Sequence, residues 1–279
     1  MKRLLFLVLV MLSTSVMSKE RIISIGPDIT EIIYQLGAGD ELVGRDMRSI
    51  YPPQAANLAD VGYMRTLNAE GLLSLYPDKI IASQLAAPSV VFKQIESMGI
   101  PVIFISGEPS INGMINRIQQ VAKAVERESQ GGELVKQMQA TLAQIPSTKL
   151  PLNVMFIRSF NNNNILAAGK ETLIDYVFQI AGVNNALADM NRYQTLSGEG
   201  LILAKPDLIV TTKTAMRYFQ NEEDFWLLDN VINTPAGKNR QLLVMDDMAL
   251  LSFGLQTPQA ILFLRHYAEK LVASQGNSN

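Results

Sequence analysis

The chain has 279 residues, 48% of them hydrophobic, and a formal net charge of −2. That length permits one large domain or two modest ones with well-filled cores. The near-neutral charge gives no basic field for nucleic acid and no polybasic membrane patch, and the lack of cysteine excludes a disulfide framework.

Residues 1–18 read as a secretory signal. Lys2 and Arg3 form a positive start, Leu4 to Leu12 an apolar run, and Val16 and Ser18 supply small residues before a cleavage site at Lys19. The run is too short to span a bilayer comfortably. A lipoprotein would need a cysteine at that point, so the mature chain is expected free in the periplasm.

A short strand is predicted over Arg21 to Ile25, then a helix from Gly26-Pro27-Asp28-Ile29-Thr30 to about Leu36. Asp28 or Thr30 would be its N-cap, and Gly37 or Gly39 would stop it. The loop Gly62-Tyr63-Met64-Arg65 leads into a helix from Ala69 to Leu75, and a strand follows over Lys79 to Ser83. A helix over Val90 to Met98 and a strand over Val102 to Ile105 complete an α/β lobe with a mainly parallel sheet, residues 19–110. Ile111, Met114, Ile115, Ile118, Val121, Ala122 and Val125 recur at helical spacing, which Gly131-Gly132 offsets and which resumes to Ile145. This region, 111–150, is read as one long connecting helix.

The second lobe, 151–279, restarts with a strand over Asn153 to Ile157. The polar run Asn161 to Asn164 is a loop, and a helix over Thr172 to Ile180 closes at Gly182. A helix over Glu199 to Ala204, strands over Leu208 to Thr212 and Gln241 to Met245, and a closing helix over Pro258 to Leu271 follow. Part of the first lobe recurs here. Leu67 to Ser83 (LNAEGLLSLYPDKIIAS) and Leu196 to Thr212 (LSGEGLILAKPDLIVTT) match at a constant offset of 129 residues. The expected architecture is two α/β lobes facing each other across a ligand cleft. Ligands of open α/β sheets sit outside the carboxyl ends of the strands, here near Gly26, Gln84, Arg158, Lys213 and Asp246.

Tyr63 has two readings from spacing alone: an ordinary loop tyrosine, or an oxygen ligand for ferric iron once deprotonated. Arg65 is either a solvated surface arginine or a partner for the tyrosine oxygen or a ligand carboxylate. Arg48, Arg158, Lys213 and Arg217 are further basic groups near loop or strand ends, placed to meet an anionic ligand. Glu70 and Glu199 stand at equivalent helix starts, where the helix dipole favours a carboxylate; they are also two matched acidic points for a partner with arginine patches. His266, the only histidine, falls in the closing helix, which leaves no multi-histidine metal site and no serine–histidine or cysteine–histidine catalytic pair. Asp246-Asp247 has two readings: a cation site or acid–base pair, or a strand end that caps the following turn.

The segments DVGYMRTLNAEGLLSLYPD (Asp60 to Asp78), ISIGPDITEIIYQLG (Ile23 to Gly37), AAGKETLIDYVFQIAGVNNA (Ala167 to Ala186), TPAGK (Thr234 to Lys238) and SFGLQTP (Ser252 to Pro258) resemble the periplasmic haem-binding proteins of bacterial ABC-type haem importers. The likeness spans the mature chain. GYMR-x-L-x-x-EG is its specific part; the rest is shared with cobalamin and siderophore carriers. The resemblance implies Tyr63 as the axial ligand of haem iron, Arg65 as its hydrogen-bonding assistant, and Glu70 and Glu199 as contacts to an inner-membrane ABC permease. Haem would arrive from an outer-membrane receptor system and leave through that permease unmodified. Some members carry a histidine before the AAG motif; Asn161 to Asn164 stand there in this chain, so one haem per protein is expected. Gln256 stands where a basic residue often occurs, which leaves a propionate contact there in doubt. The alternatives are a siderophore or cobalamin carrier, and a haem-modifying enzyme on the same architecture.

Overall fold

A computed structural model describes residues 19–161, 164–228 and 230–276. The expected signal, 1–18, and the middle of the Asn161 to Asn164 run lie outside the described residues. The first lobe is built from β1 (Ile22–Ile25), α1 (Pro27–Gln35), β2 (Leu42–Arg45), β3 (Ala59–Asp60), α2 (Ala69–Leu73), β4 (Lys79–Ser83), α3 (Ser89–Ser97) and β5 (Val102–Ile105). Its sheet runs in the order β3-β2-β1-β4-β5, and every neighbouring pair is parallel. The strand order reverses between β1 and β4, so a crevice opens where Gly26 and Ser83 leave the sheet. The central strands β1 and β4 are buried on both faces, as near-continuous Ile/Val runs require in a parallel sheet. Ile22 and Ile81 point to the α1 side and Ile23, Ile80 and Ala82 to the side of α2 and α3.

The connector is two helices rather than one. α4 (Ile111–Ala124) ends at Val125, Glu126 adopts φ 55°, and α5 (Glu128–Leu142) folds back against α4. The break lies before Gly131-Gly132. Gly131 serves instead as a close-packing residue: a methyl group there would stand 2.5 Å from the Ala122 Cβ. A helical period persists across such a break because both helices bury one face in the same core, so periodicity alone does not reveal the turn.

The second lobe contains β6 (Asn153–Asn161), β7 (Asn164–Ala168), α6 (Leu173–Ala181), β8 (Asn184–Asn185), β9 (Tyr193–Leu196), α7 (Gly198–Ala204), β10 (Leu208–Thr212), α8 (Lys213–Met216), α9 (Glu222–Trp226), α10 (Pro235–Lys238), β11 (Leu242–Met245), α11 (Asp247–Leu251) and α12 (Thr257–Gly276). Its sheet runs β11-β10-β6-β7-β9, with β8 also on β6. The β11, β10, β6 and β8 pairings are parallel, whereas β7 pairs antiparallel with both neighbours. Asn161 and Asn164, expected in a polar loop, instead pair antiparallel as the last residue of β6 and the first of β7, with only two residues between them along the chain. So short a link cannot make the crossover that a parallel partner needs. Thr172 caps α6 through Asp175 N, and Gly182 ends it at φ 73°, as its sequence position predicts.

The core is shared. One buried cluster includes Ile22, Ile29, Ile33 and Ile81 of the first lobe, Met114, Ile118 and Val121 of α4, and Phe156, Phe178, Val210 and Ile261 of the second. Polar bonds cross the same seam. Arg117 of α4, almost wholly buried, pairs with Asp28 at 2.9 Å and donates to the carbonyls of Ser106, Glu108 and Phe253. Glu31 accepts from Leu255 N at 3.2 Å and Gln256 Nε2 at 3.0 Å. A side chain at Gly254 would press against that carboxylate. Asp28 is thus a seam residue rather than the cap of α1, whose N-cap is Gly26 without a side-chain bond.

Burial raises both Glu31 and Asp28 above their ordinary values of 4.5 and 3.8, against the opposing pull of Gln256, Leu255 N–H and Arg117. Each acid therefore binds its proton more tightly folded than unfolded. Its contribution to stability is present below the unfolded value and is lost as pH rises through the raised one. Glu31→Gln keeps an acceptor for Leu255 N and lets the Gln256 amide turn round. In thermal melts from about pH 4 to about pH 8, the variant should gain on wild type as pH rises, by at most about 1.4 kcal/mol per pH unit. A gap that stays constant with pH would show that Glu31 does not titrate in this range.

Candidate functional site

Tyr63 sits in a loop that is held on both sides. Arg45, at the end of β2, bonds Asp60 at 2.8 Å, and Asp60 receives Gly62 N at 2.8 Å. Gly62 O accepts from Met47 N at 2.8 Å, Tyr63 O closes a turn by accepting Thr66 N at 2.8 Å, and Met64 O accepts from Ala87 N at 2.8 Å. The loop is thereby tied to the segment after β2 and to the segment after β4. Asp46, wholly buried, organises the first of these by accepting from Gly26 N, Arg48 N and the Ser49 hydroxyl. Arg48, Tyr63 and Arg65 consequently project from adjacent loops, all with exposed side chains.

The Tyr63 ring is 37% exposed, and Met47, Ile50, Tyr51 and Leu85 in the neighbouring segments are also large, apolar and exposed. Exposed apolar side chains beside two phenols and two guanidinium groups can hold a flat, mostly hydrophobic molecule that carries anionic edges.

The second lobe supplies a different surface. The β6–β7 hairpin continues past the last residue of β10, since Phe160 pairs with Ile165 beyond the level of Thr211. A register shift between Ile157 and Ser159 leaves Arg158 outside the ladder, and a bulge of this kind re-aims a side chain. Arg158 lies over the Tyr193 ring at 5.4 Å. Burial, foremost, raises the Tyr193 phenol above its ordinary value against the pull of Arg158. On the other face, Phe160, Tyr218, Phe219 and Phe225 form a cluster with edge-to-face pairs 4.8–5.8 Å apart and a tilted Phe160–Tyr218 pair at 6.1 Å, and Tyr218 is its exposed member. Arg217 is exposed beside it. Lys213 faces Asp246 at 3.4 Å, and Asp246 caps α11 through Met248 N, as its sequence position predicts.

The structure thus groups Arg48, Tyr63 and Arg65 on the first lobe and places Arg158, Lys213 and Arg217 along the carboxyl edge of the second sheet. Gln256 is committed to Glu31. A groove of about 280 Å³ opens beside Glu31 between α1, α5 and the start of α12; Tyr51 and Gln256 line it, whereas Arg48, Tyr63, Arg65, Arg158, Lys213 and Arg217 do not. His266 is exposed on α12. Sequence reasoning passed over Tyr193 and the aromatic cluster, in which the hairpin brings Phe160 onto the local group Tyr218, Phe219 and Phe225.

The repeat is structural. Asn68 and Ser197 both cap their helices by accepting from Gly71 N and Gly200 N. Asp78 receives Arg21 N at 2.8 Å, and Asp207 receives Asn153 N at 2.9 Å. Glu70 and Glu199 are both exposed in the first turn of their helices.

Residues 22–249 match the family model described as periplasmic binding protein. The chain belongs to that family. It is similar to the solved periplasmic haem-binding protein RhuT from Roseiflexus sp. RS-1 in apo form, with 31% identity, a TM-score of 0.83, and coverage of 91% of this chain and 100% of that one. It is also similar to the periplasmic haem-binding protein BhuT in complex with two haems, with 29% identity, a TM-score of 0.82, and coverage of 91% and 99%. A vitamin B12-binding protein of Yersinia pestis (strain Pestoides F) is 29% identical over 231 residues, 81% of each chain. The family implies transport through an ABC permease. Among the described residues no helix is long and apolar enough to cross a membrane.

The clamp on the tyrosine loop depends on Gly62, whose φ of 96° side chains rarely adopt although there is open space around its Cβ position. Gly62→Ala should cost about 1–3 kcal/mol, read as a fall in melting temperature, with no new steric clash. A melting temperature equal to wild type would show that the loop relaxes without cost.

Proposed function

We propose that this periplasmic binding protein captures one ferric haem between its lobes and hands it unmodified to an inner-membrane ABC permease. The observation that carries this reading is the Tyr63 loop: an exposed phenol, clamped from two sides, with Arg65 two residues on and Arg48 in the adjacent segment. Tyr63 would hold the iron as phenolate, favoured by the ferric charge and by a nearby guanidinium. Arg65 would hydrogen-bond the tyrosine oxygen, while Arg48, Arg158, Lys213 and Arg217 are candidates for the propionates. Met47, Ile50, Tyr51 and Leu85 would cover apolar ring surface on one side and Tyr218 on the other. The likeness to haem-binding proteins at about 30% identity supports the same ligand. Glu70 and Glu199 would engage the permease, and the lobes would be bounded at 19–110 and 151–279, joined through 111–150.

The second reading is a cobalamin carrier, favoured by the vitamin B12-binding relative. Titration with ferric haem, followed by absorption, separates the two. Wild type should saturate at one equivalent with tyrosinate bands. Tyr63→Phe should keep the ring contacts but lose those bands, and Tyr63→Ala should bind at least about tenfold more weakly, a loss of about 1.4 kcal/mol. Saturation at two equivalents would replace the single-haem reading. No haem uptake by wild type, with cobalamin bound equally by wild type and Tyr63→Ala, would reject haem as the cargo.

A further inference from the structure

The parallel pairing of β2 and β3 runs on past both strands and slips by one residue just before Tyr63. Val61 N donates to Arg45 O at 3.0 Å, and Met47 N donates to Gly62 O at 2.8 Å. In an evenly spaced parallel ladder, the residue that donates to Arg45 O would also accept from Met47 N. Here Val61 does the first and Gly62 the second. The edge of the first-lobe sheet therefore carries a one-residue bulge, and Gly62, at φ 96°, is the extra residue.

The slip decides where Tyr63 points. Val61 is buried in the cluster that holds Ile23 and Ile80. Side chains alternate along a strand, so an even strand would send Tyr63, two residues on, to the same buried face. One inserted residue reverses that assignment. Tyr63 is exposed, and Met64 takes the core-facing place instead, packed against the cluster of Val61.

Asp60 holds the slip in place. Its Oδ1 accepts from Gly62 N at 2.8 Å, a turn closed by the side chain two residues back. Its Oδ2 accepts from Arg45 Nη1 at 2.8 Å. Arg45 is almost wholly buried and also donates to Asp46 O at 3.2 Å and Ala56 O at 3.4 Å, but its Nε meets no acceptor among the described residues. An apolar side chain would fill that space at lower cost. What the guanidinium secures is the direction of the Asp60 carboxylate.

We infer that Asp60 is the positioning residue of the iron ligand: by holding Gly62 as an extra residue in the β2–β3 ladder, it turns Tyr63 out of the core and aims the phenol outward, where haem would meet it. The inference rests on the haem-carrier reading above and extends it to a residue that acts through Tyr63 rather than on haem.

Three substitutions separate this role from that of a plain ion pair. Asp60→Asn keeps the acceptor for Gly62 N and gives up the charge that meets Arg45. Asp60→Glu keeps the charge but carries the carboxylate one methylene too far for the two-residue turn. Asp60→Ala removes both. Each is made in wild type and in Tyr63→Ala, checked for folding by circular dichroism, and titrated with ferric haem. Asp60→Asn should keep the tyrosinate bands. Asp60→Glu and Asp60→Ala should weaken those bands and bind haem about fivefold or more weakly, yet add less than about twofold to the loss in Tyr63→Ala, as residues acting through one another do. A plain ion pair gives the reverse order, with Asp60→Glu sound and Asp60→Asn impaired, and that result would overturn the proposal. Equal losses in both backgrounds would do the same.

A second arm needs no haem. Nitration of the haem-free protein by tetranitromethane, read peptide by peptide, should be slower at Tyr63 in Asp60→Glu than in wild type, with the exposed Tyr76 as reference. Unchanged nitration at Tyr63 would overturn the proposal whatever the haem arm gives. If wild type takes up no haem, the cargo reading fails, and the nitration arm alone decides whether Asp60 sets the direction of Tyr63.

Discussion

The buried guanidinium of Arg117 is the constraint on which the arrangement of the two lobes depends. It sits on the connecting α4, pairs with Asp28 at the first turn of α1, and reaches the carbonyl of Phe253 in the other lobe at 2.9 Å. A buried charge must be matched or it destabilises by several kcal/mol. Here its donors are spread over one carboxylate and three carbonyls, so α4, the turn after β5, the start of α1 and the approach to α12 must all be in place together. Glu31 repeats the theme one turn along α1, with Leu255 and Gln256. Around these polar bonds lies an apolar cluster that draws on both lobes and on the connector. Relative motion of the lobes has to be accommodated around this packed seam.

The ligand-facing loops are braced differently. The Tyr63 loop is held mostly by backbone hydrogen bonds to two neighbouring loops of its own lobe, and none of the bonds described for it crosses the seam. On the second lobe, the bulge at Arg158 and the aromatic cluster around Phe160 depend on the β6–β7 hairpin. Each lobe therefore builds its own edge of the cleft from contacts made within that lobe.

Much of this was legible in the chain, for definable reasons. The alternation of apolar strand and amphipathic helix marks an α/β fold because burial on one or two faces has a period, and β4, β5, β10 and α6 fall where that period places them. Thr172 and Gly182 mark their helix ends because capping is local chemistry. The repeat revealed equivalent helices because proline, glycine and aspartate recur where the backbone needs them. The α4–α5 break was not legible, since a turn at Val125 to Arg127 contains neither glycine nor proline and the apolar period runs on beyond it. The β6–β7 hairpin was hidden for a similar reason: asparagines suit a loop and a tight link equally. Asp28 read as a helix cap, and nothing in the sequence marked Arg117 or Glu31, because Asp28 pairs with Arg117 across 89 residues and the contacts of Arg117 and Glu31 with the other lobe lie more than a hundred residues away. Tyr63 and Arg65 were legible as a pair, but their clamp through Gly62, Met47 and Ala87 is a product of the fold.

Three of the four groups that Arg117 meets are main-chain carbonyls, of Ser106, Glu108 and Phe253. A carbonyl oxygen is supplied by every amino acid. The mechanical joint is therefore indifferent to which side chains stand at those three positions, provided that the path of the chain is kept. Side chains lining the cleft can be exchanged over evolutionary time while the joint goes on working. A binding protein built this way can change its ligand without having to reinvent how its halves are held together.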